Sequence, residues 1–184
     1  MKYALDTKFM DNGHTIELLS IGLVCEDGRE FYAQNRNANY AKASPWVQTH
    51  VLPGLAHRDC KPMGRKGSIG RMEPHCRKHN CPWAYHDQIG PAILSWMADP
   101  LPTFITYYGA CDWVVFCRLF NARVQRPQGW PKYAHDLRSV LDMQGLAYIT
   151  QPDNMPPHGL SDARWIMETW QRYSFMLTSQ HGRP

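Results

Sequence analysis

Apolar residues are distributed along this chain in short blocks whose periods change from two to nearly four. Tyr3-Ala4-Leu5 is an apolar run that closes on Asp6 and predicts a first strand ending there. Ile16 to Val24 is rich in branched residues and too short for a free-standing helix, so it predicts a second strand. Glu26-Asp27-Gly28 supplies turn chemistry, and Glu30 to Ala33 continues as a third strand, with antiparallel pairing expected because the connections are short. Ser44-Pro45 opens a helix, with Ser as N-cap and Pro at the first helical position, where a missing N–H costs nothing. Trp46, Val47 and Val51 follow at helical spacing, and Pro53-Gly54 ends the run.

Residues 55–82 carry neither period. Asp87 is the expected cap of the next helix, with Ile89, Ile93, Leu94, Trp96 and Met97 as its apolar positions. Thr103 to Tyr108 predicts a strand stopping at Gly109, followed at once by a helix through Trp113, Val114, Phe116, Cys117 and Phe120. Another helix is expected over about Asp136 to Met143, a loop from Asp153 to Pro157, and a last amphipathic helix from Asp162 to Leu177. The resulting order, β-β-β-α-loop-α-β-α-α-α, predicts an α/β fold with a mixed sheet flanked by helices, as in the ribonuclease H-like fold. A single domain over 1–177 is expected, interrupted by an insertion at about 55–84 and followed by a frayed tail at 178–184.

Composition adds one point to this picture. Formal net charge is +4 over 184 residues. Seven basic residues (Arg58, Lys61, Arg65, Lys66, Arg71, Arg77, Lys78) fall between 58 and 78 against Asp59 and Glu73, so this segment carries +5 and everything else −1. Lys and Arg neutralise phosphates, so the segment is either an RNA guide, with Arg65, Lys66 and Arg71 as contacts, or a solvated loop. Trp83 and Tyr85 follow it directly and are candidates for stacking on bases. The segment also holds Cys60, Cys76, His79 and Cys81, a mixed set sufficient in number for tetrahedral Zn²⁺, although the Cys76-x4-Cys81 spacing is loose. Asp6 is reached before any apolar leader forms, and no window nears the roughly 18 apolar residues of a membrane span. The expectation is a soluble, cytoplasmic protein with reduced cysteines and no membrane partner.

Three aspartates fall at element boundaries: Asp6 on the first strand, Asp112 just after the 103–108 strand, and Asp162 opening the last helix. Converging carboxylates suit Mg²⁺ or Mn²⁺, and two such ions activate water and stabilise a leaving oxygen in phosphodiester cleavage. The alternative for Asp112 and Asp162 is an ordinary helix cap.

Asp6-Thr7-Lys8-Phe9, His14 to Gly22, Tyr108-Gly109-Ala110-Cys111-Asp112 and His158-Gly159-Leu160-Ser161-Asp162-Ala163-Arg164 occur in this order. Together with the Glu26 to Ala33 hairpin and the Ser44-Pro45-Trp46-Val47 helix, they resemble the DEDDh 3′–5′ exonucleases. The nearest likeness is to the polyadenylate-specific exoribonuclease (RNase AS) group and its phage-type relatives. The resemblance runs from Met1 to about Phe175. It implies a two-metal site, or a site with one of the two ions bound, that hydrolyses RNA 3′ ends, with an adenylate preference and a homodimeric assembly. By position it makes Asp6, Asp112 and Asp162 metal ligands and His158 the general base, a role a neutral imidazole can fill near pH 7.

Two positions depart from that pattern. Lys8 stands where the family has the second acid of its first motif, and a charged ammonium cannot ligate a metal ion and repels one. Either Lys8 takes a metal's place and holds a phosphate, or its pKa is depressed; activity is expected to be much reduced or absent. The alternative to an impaired enzyme is an inactive pseudo-exonuclease that binds RNA or a protein. Three residues separate His158 from Asp162 where the family has four, which is absorbed if His158 lies in the loop before the helix. Glu17 on the second strand matches a family position; it either supports the site, binds ribose, or pairs with a basic neighbour across the sheet.

Overall fold

The computed structural model describes residues 1–55, 82–120, 126–146, 149–152, 155 and 157–179, the last of these with side chains to residue 174. Strand β1 (Lys2–Asp11) pairs antiparallel with β2 (Ile16–Cys25), and β2 pairs antiparallel with β3 (Glu30–Asn35). Helix α1 (Pro45–His50) and a 3-10 turn at Leu52–Gly54 follow. Ser44 caps α1 as expected, its Oγ accepting from Val47 N at 3.3 Å. Strand β4 (Trp83–Ala84) joins the β3 edge in parallel and leads into α2 (His86–Met97). Strand β5 (Thr103–Thr106) lies parallel to β1 and precedes α3 (Ala110–Arg118); β6 (His135–Asp136), α4 (Leu137–Met143) and α5 (Gly159–Ser179) complete the order.

The sheet order is β4-β3-β2-β1-β5-β6, with antiparallel pairs in the centre and parallel ones at both edges. With helices against it, this is the α/β architecture of the ribonuclease H-like fold. Among the described residues, no helix is long and apolar enough to cross a membrane.

Alternation along β1 divides the core. Tyr3 and Leu5 point into a layer with Ile89, Ile93, Phe104, Trp113 and Phe116 from α2, β5 and α3. Ala4 points the other way, into a layer with Ile105, Leu137, Leu141, Ala163, Ile166 and Met167. In α5 the residues at 163, 166 and 167 recur at helical spacing, which turns that stripe onto the sheet. Because both faces of β2 are covered, its sequence is a nearly unbroken apolar run.

Several element assignments differ from expectation for identifiable reasons. Asp6 is not at the end of β1 but in its middle, because Lys8 to Asp11 continue the pairing with Ile16 to Ser20 after the apolar run has ended. Asp87 is the second residue of α2 rather than its cap; Tyr85 takes that position, its N–H donating to Gln88 Oε1 at 3.4 Å. Helix α5 starts at Gly159, three residues before Asp162, and reaches Ser179, so Thr178 and Ser179 belong to it rather than to a tail. Strands β4 and β6 have two residues each, too few to carry a period.

Candidate active site

Strand β5 ends at Thr106 while β1 continues, which leaves Asp6, Thr7 and Lys8 beyond the last β1–β5 pairing at Ala4 and Ile105. Asp6 and Lys8, two residues apart, share the face of β1 that carries Ala4 and α5. Thr7 points to the opposite face. The first turn of α5 crosses the sheet here because two glycines permit it: a Cβ on Gly22 would lie 2.4 Å from the Gly159 carbonyl oxygen. That approach delivers Asp162, in the first turn of α5, to the pair on β1.

The Lys8 ammonium joins the two carboxylates. Its Nζ lies 2.9 Å from Asp6 Oδ2 and forms a still closer ion pair with Asp162 Oδ2. All three side chains are largely buried, Asp162 most of all. Asp112, in the first turn of α3, reaches Thr7 from the other layer: its Oδ1 accepts from Thr7 N at 2.7 Å and from Thr7 Oγ1 at 2.6 Å. Asp6 and Asp162 thus meet at Lys8, while Asp112 is held by Thr7, near enough for its charge to act on Asp6.

The electrostatics follow from this packing. Burial pushes the Asp6 carboxyl well above the usual carboxylate range, the charges of Asp112 and Asp162 push it further, and Lys8 opposes the rise. Burial also raises Asp112, against the two hydrogen bonds from Thr7. For Lys8 burial alone would lower the pKa, but the carboxylates of Asp6 and Asp162 outweigh it and the net shift is upward. The ammonium is therefore firmly charged, which removes the alternative of a depressed pKa.

His158 precedes α5, and its carbonyl accepts the first helical bond from Asp162 N at 3.0 Å. This N-cap position absorbs the short spacing in the loop. The imidazole lies against Tyr32 of β3, ring centroids 4.4 Å apart, and its Nδ1 is buried with no hydrogen-bond partner. Burial lowers the His158 pKa, Asp162 raises it in part, and Arg164 and Lys8 add to the lowering. The ring is thus kept neutral close to Asp162.

A cleft of about 260 Å³ opens over these groups, lined by Asp6, Lys8 and Asp162 together with Tyr107, Tyr108, Thr150, Gln151 and Ile166. Of these, Tyr107, Tyr108, Thr150, Gln151 and Ile166 were not expected at the site; no period or spacing marks the first four, which follow β5 or lie in the segment before α5, and Ile166 reads only as a core position of α5. Thr7 was visible only as a member of the Asp6-Thr7-Lys8-Phe9 run, and its role depends on Asp112, 105 positions away.

Other expected site residues lie elsewhere. Glu17 pairs with Met10 near the far end of β2, its Oε1 accepting from Asn39 N at 3.1 Å, and it lines a separate cleft with Asp11, Asn12, Lys42 and Ser44. It neither supports the aspartates nor faces a basic residue across the sheet. Trp83 is buried in β4, 7% exposed, with its ring 5.8 Å from Tyr40 and edge-on to it. Its faces are therefore committed to packing, which corrects its assignment as a base-stacking residue. Arg65, Lys66, Arg71, Cys60, Cys76, His79 and Cys81 lie outside the described residues.

The residues present do not fit the pair of divalent ions that the resemblance implies. The ammonium of Lys8 stands between Asp6 and Asp162, where an ion would have to be shared, and Asp112 Oδ1 is already engaged twice by Thr7. Among the described residues, no group of three or more His, Cys, Asp or Glu side chains is arranged to hold a metal.

Fold and cleft define an α/β protein of the ribonuclease H-like kind with an acidic site at the edge left open by a short parallel strand. No family model matches the chain. Over 168 residues it is 30% identical to the 3′–5′ exoribonucleases of Mycobacterium tuberculosis strains H37Rv and CDC 1551, covering 89% of this chain and 88% of each relative. The chain belongs to the 3′–5′ exoribonuclease family.

Proposed function

We propose that this protein is a DEDDh-type 3′–5′ exoribonuclease in descent and substrate, engaging RNA 3′ ends at the cleft lined by Asp6, Lys8 and Asp162, with Asp112 close behind Asp6, and that Lys8 strongly reduces its hydrolytic rate. The observation that carries this reading is the double ion pair of Lys8 with Asp6 and Asp162. Three carboxylates and one ammonium sum to a formal −2 at the site, whereas a glutamate at position 8 would bring it to −4. The weaker negative field attracts cations less and repels a phosphodiester less. Lys8 lines the cleft, and its ammonium is a donor that could meet a phosphate oxygen there as a point charge.

His158 is the proton acceptor in this reading. Its ring, kept neutral by burial, can take the proton of a water attacking the terminal phosphodiester on the nitrogen other than the buried Nδ1. Asp162, close enough to favour the imidazolium, would stabilise the charge that forms. Adenylate at the 3′ end and a homodimeric assembly are the preferences carried by the RNase AS resemblance.

A second reading rests on the same ion pairs: if they persist in the complex, the site binds an RNA end without cleaving it. Single-turnover degradation of a 3′-tailed RNA in Mn²⁺, with binding measured in the same samples, separates the two. Slow trimming by the native protein and faster trimming by Lys8→Glu support the impaired enzyme. Tight binding without trimming in both selects the binder, and full-rate trimming by the native protein overturns the role given to Lys8. A folded Lys8→Glu protein that neither binds nor trims RNA overturns the site itself.

A further inference from the structure

Two rungs of the sheet carry the site and its neighbours. Asp6 pairs with Gly22 and Gly22 with Tyr32; Lys8 pairs with Ser20 and Ser20 with Gln34. Paired residues on adjacent strands point to one face, so Tyr32 and Gln34 of β3 stand on the face that carries Asp6, Lys8 and α5. Two strand spacings, about 10 Å, separate the Asp6 and Tyr32 backbones. The position between them has no side chain, and the Gly159 backbone occupies that gap. The residue before Gly159 therefore comes down on Tyr32. The His158 and Tyr32 rings lie with centroids 4.4 Å apart and planes inclined by 30°.

Tyr32 is a fixed surface for that contact. Its hydroxyl accepts from Gln34 Nε2 at 2.8 Å, and Gln34 is fully buried, its own N–H donating to the Pro82 carbonyl at 2.7 Å. Glu30, on the same face of β3, holds Arg164 of α5 through bonds of 2.6 and 2.7 Å. One strand thus engages both the residue that precedes α5 and a residue of its second turn. Without the Tyr32 ring, the imidazole at this N-cap would be free to change rotamer, since its Nδ1 makes no hydrogen bond that would hold it.

We infer that Tyr32 is a positioning residue for His158, its ring fixing the plane of the imidazole and so the direction in which it accepts a proton. This rests on the reading of His158 as the proton acceptor. A displacement of about 1 Å at a reacting group can cost about 100-fold in rate, so a ring that fixes this plane acts on turnover rather than on RNA affinity.

Single-turnover trimming of a 3′-tailed RNA by the Lys8→Glu protein in Mn²⁺, with binding followed by anisotropy in EDTA, tests it. Tyr32→Phe keeps the ring and should keep most of the rate. Tyr32→Leu should lower the rate at saturating RNA by up to about 100-fold and leave the affinity unchanged. Combined with His158→Gln, Tyr32→Leu should slow the residual reaction no further, because it acts through the imidazole. Should Tyr32→Leu fail to fold by circular dichroism, Tyr32→Met removes the ring with a side chain that adapts to irregular space. In the native protein, proton NMR should show the His158 ring protons shifted by the Tyr32 ring current, a shift that Tyr32→Phe retains and the ring-free variant loses.

A ring-free variant that trims at full rate overturns the inference, as does one that slows His158→Gln by the same factor as its parent. Loss of rate in Tyr32→Phe equal to that in Tyr32→Leu, or no ring-current shift in the native protein, also overturns it. Full-rate trimming by His158→Gln overturns the proton-acceptor reading beneath it, a result distinct from failure of Tyr32 alone.

Discussion

Gly22 of β2 and Gly159 of α5 approach so closely that neither can carry a side chain at no cost. A Cβ on Gly22 would meet the Gly159 carbonyl oxygen at 2.4 Å and Leu160 Cα at 2.5 Å, while one on Gly159 would lie 3.2 Å from Gly22 N. Since these neighbours are backbone atoms, no rotamer change relieves the contact. Gly22→Ala should therefore push α5 off the sheet and destabilise the fold by about 3 kcal/mol, at the upper end of overpacking costs. Gly159→Ala should cost less. Urea denaturation of the two variants checks the order, and equal stabilities would contradict the close approach.

Removing the ammonium should leave an uncompensated buried charge. Lys8→Met should destabilise the protein by about 3–5 kcal/mol near neutral pH, the cost of breaking a buried pair. The Asp6 carboxyl is already raised, so a loss caused by ionised carboxylates should shrink as the solution is acidified and they take up protons. Native and variant urea midpoints at two pH values measure it.

The same geometry predicts the response to divalent ions. Mg²⁺ or Mn²⁺ should leave the melting temperature of the native protein unchanged, because the ammonium stands between the two carboxylates. Lys8→Glu should be stabilised by Mn²⁺, and its ion should be visible by electron paramagnetic resonance. An equal shift in both proteins would show that Lys8 does not compete for the ion.

His158 should make stability fall in mild acid. Its folded pKa lies below the ordinary 6.5, mainly through burial, so between that value and the folded one the unfolded chain takes up a proton that the folded chain refuses. The contribution is complete above 6.5 and is lost as pH drops through the folded pKa. His158→Gln should flatten the stability curve over this window relative to native protein, as read from urea midpoints between about pH 7 and about pH 5.

Thr7 should matter through its hydroxyl as well as its backbone. Thr7→Val keeps shape and removes the 2.6 Å bond to the Asp112 carboxylate, so it should cost about 1.5–3 kcal/mol, the range for a hydrogen bond to a charged group. Thr7→Ser should recover most of that in chemical denaturation.

Much of this architecture is written in local chemistry. The apolar blocks of β1, β2 and β3, the Ser44 cap of α1 and the Asp136 cap of α4, whose Oδ1 accepts from Ser139 N at 3.0 Å, depend on neighbours a few residues away. The order of the acids along the chain is equally visible, as is Lys8 among them. What interaction Lys8 makes is not visible, because Asp6 lies two residues from it and Asp162 lies on α5. Glu17 and Trp83 illustrate the same limit from the other side: both had suitable chemistry, and one proved to line a different cleft while the other is buried against Tyr40. Tyr108 carries no local signal for left-handed backbone; Gly109, Asp136 and Thr106 impose it through contacts across the fold.

The chain by itself therefore determined the four longer strands, most of the helices and the places of the three aspartates, since period and capping act over one or two turns. Only the tertiary structure decided that Lys8 joins Asp6 to Asp162, that Thr7 holds Asp112, and that Tyr108 lines the cleft. Each of these depends on side chains from distant segments meeting where β5 stops short of β1, and burial at that point sets both their charge and their partners.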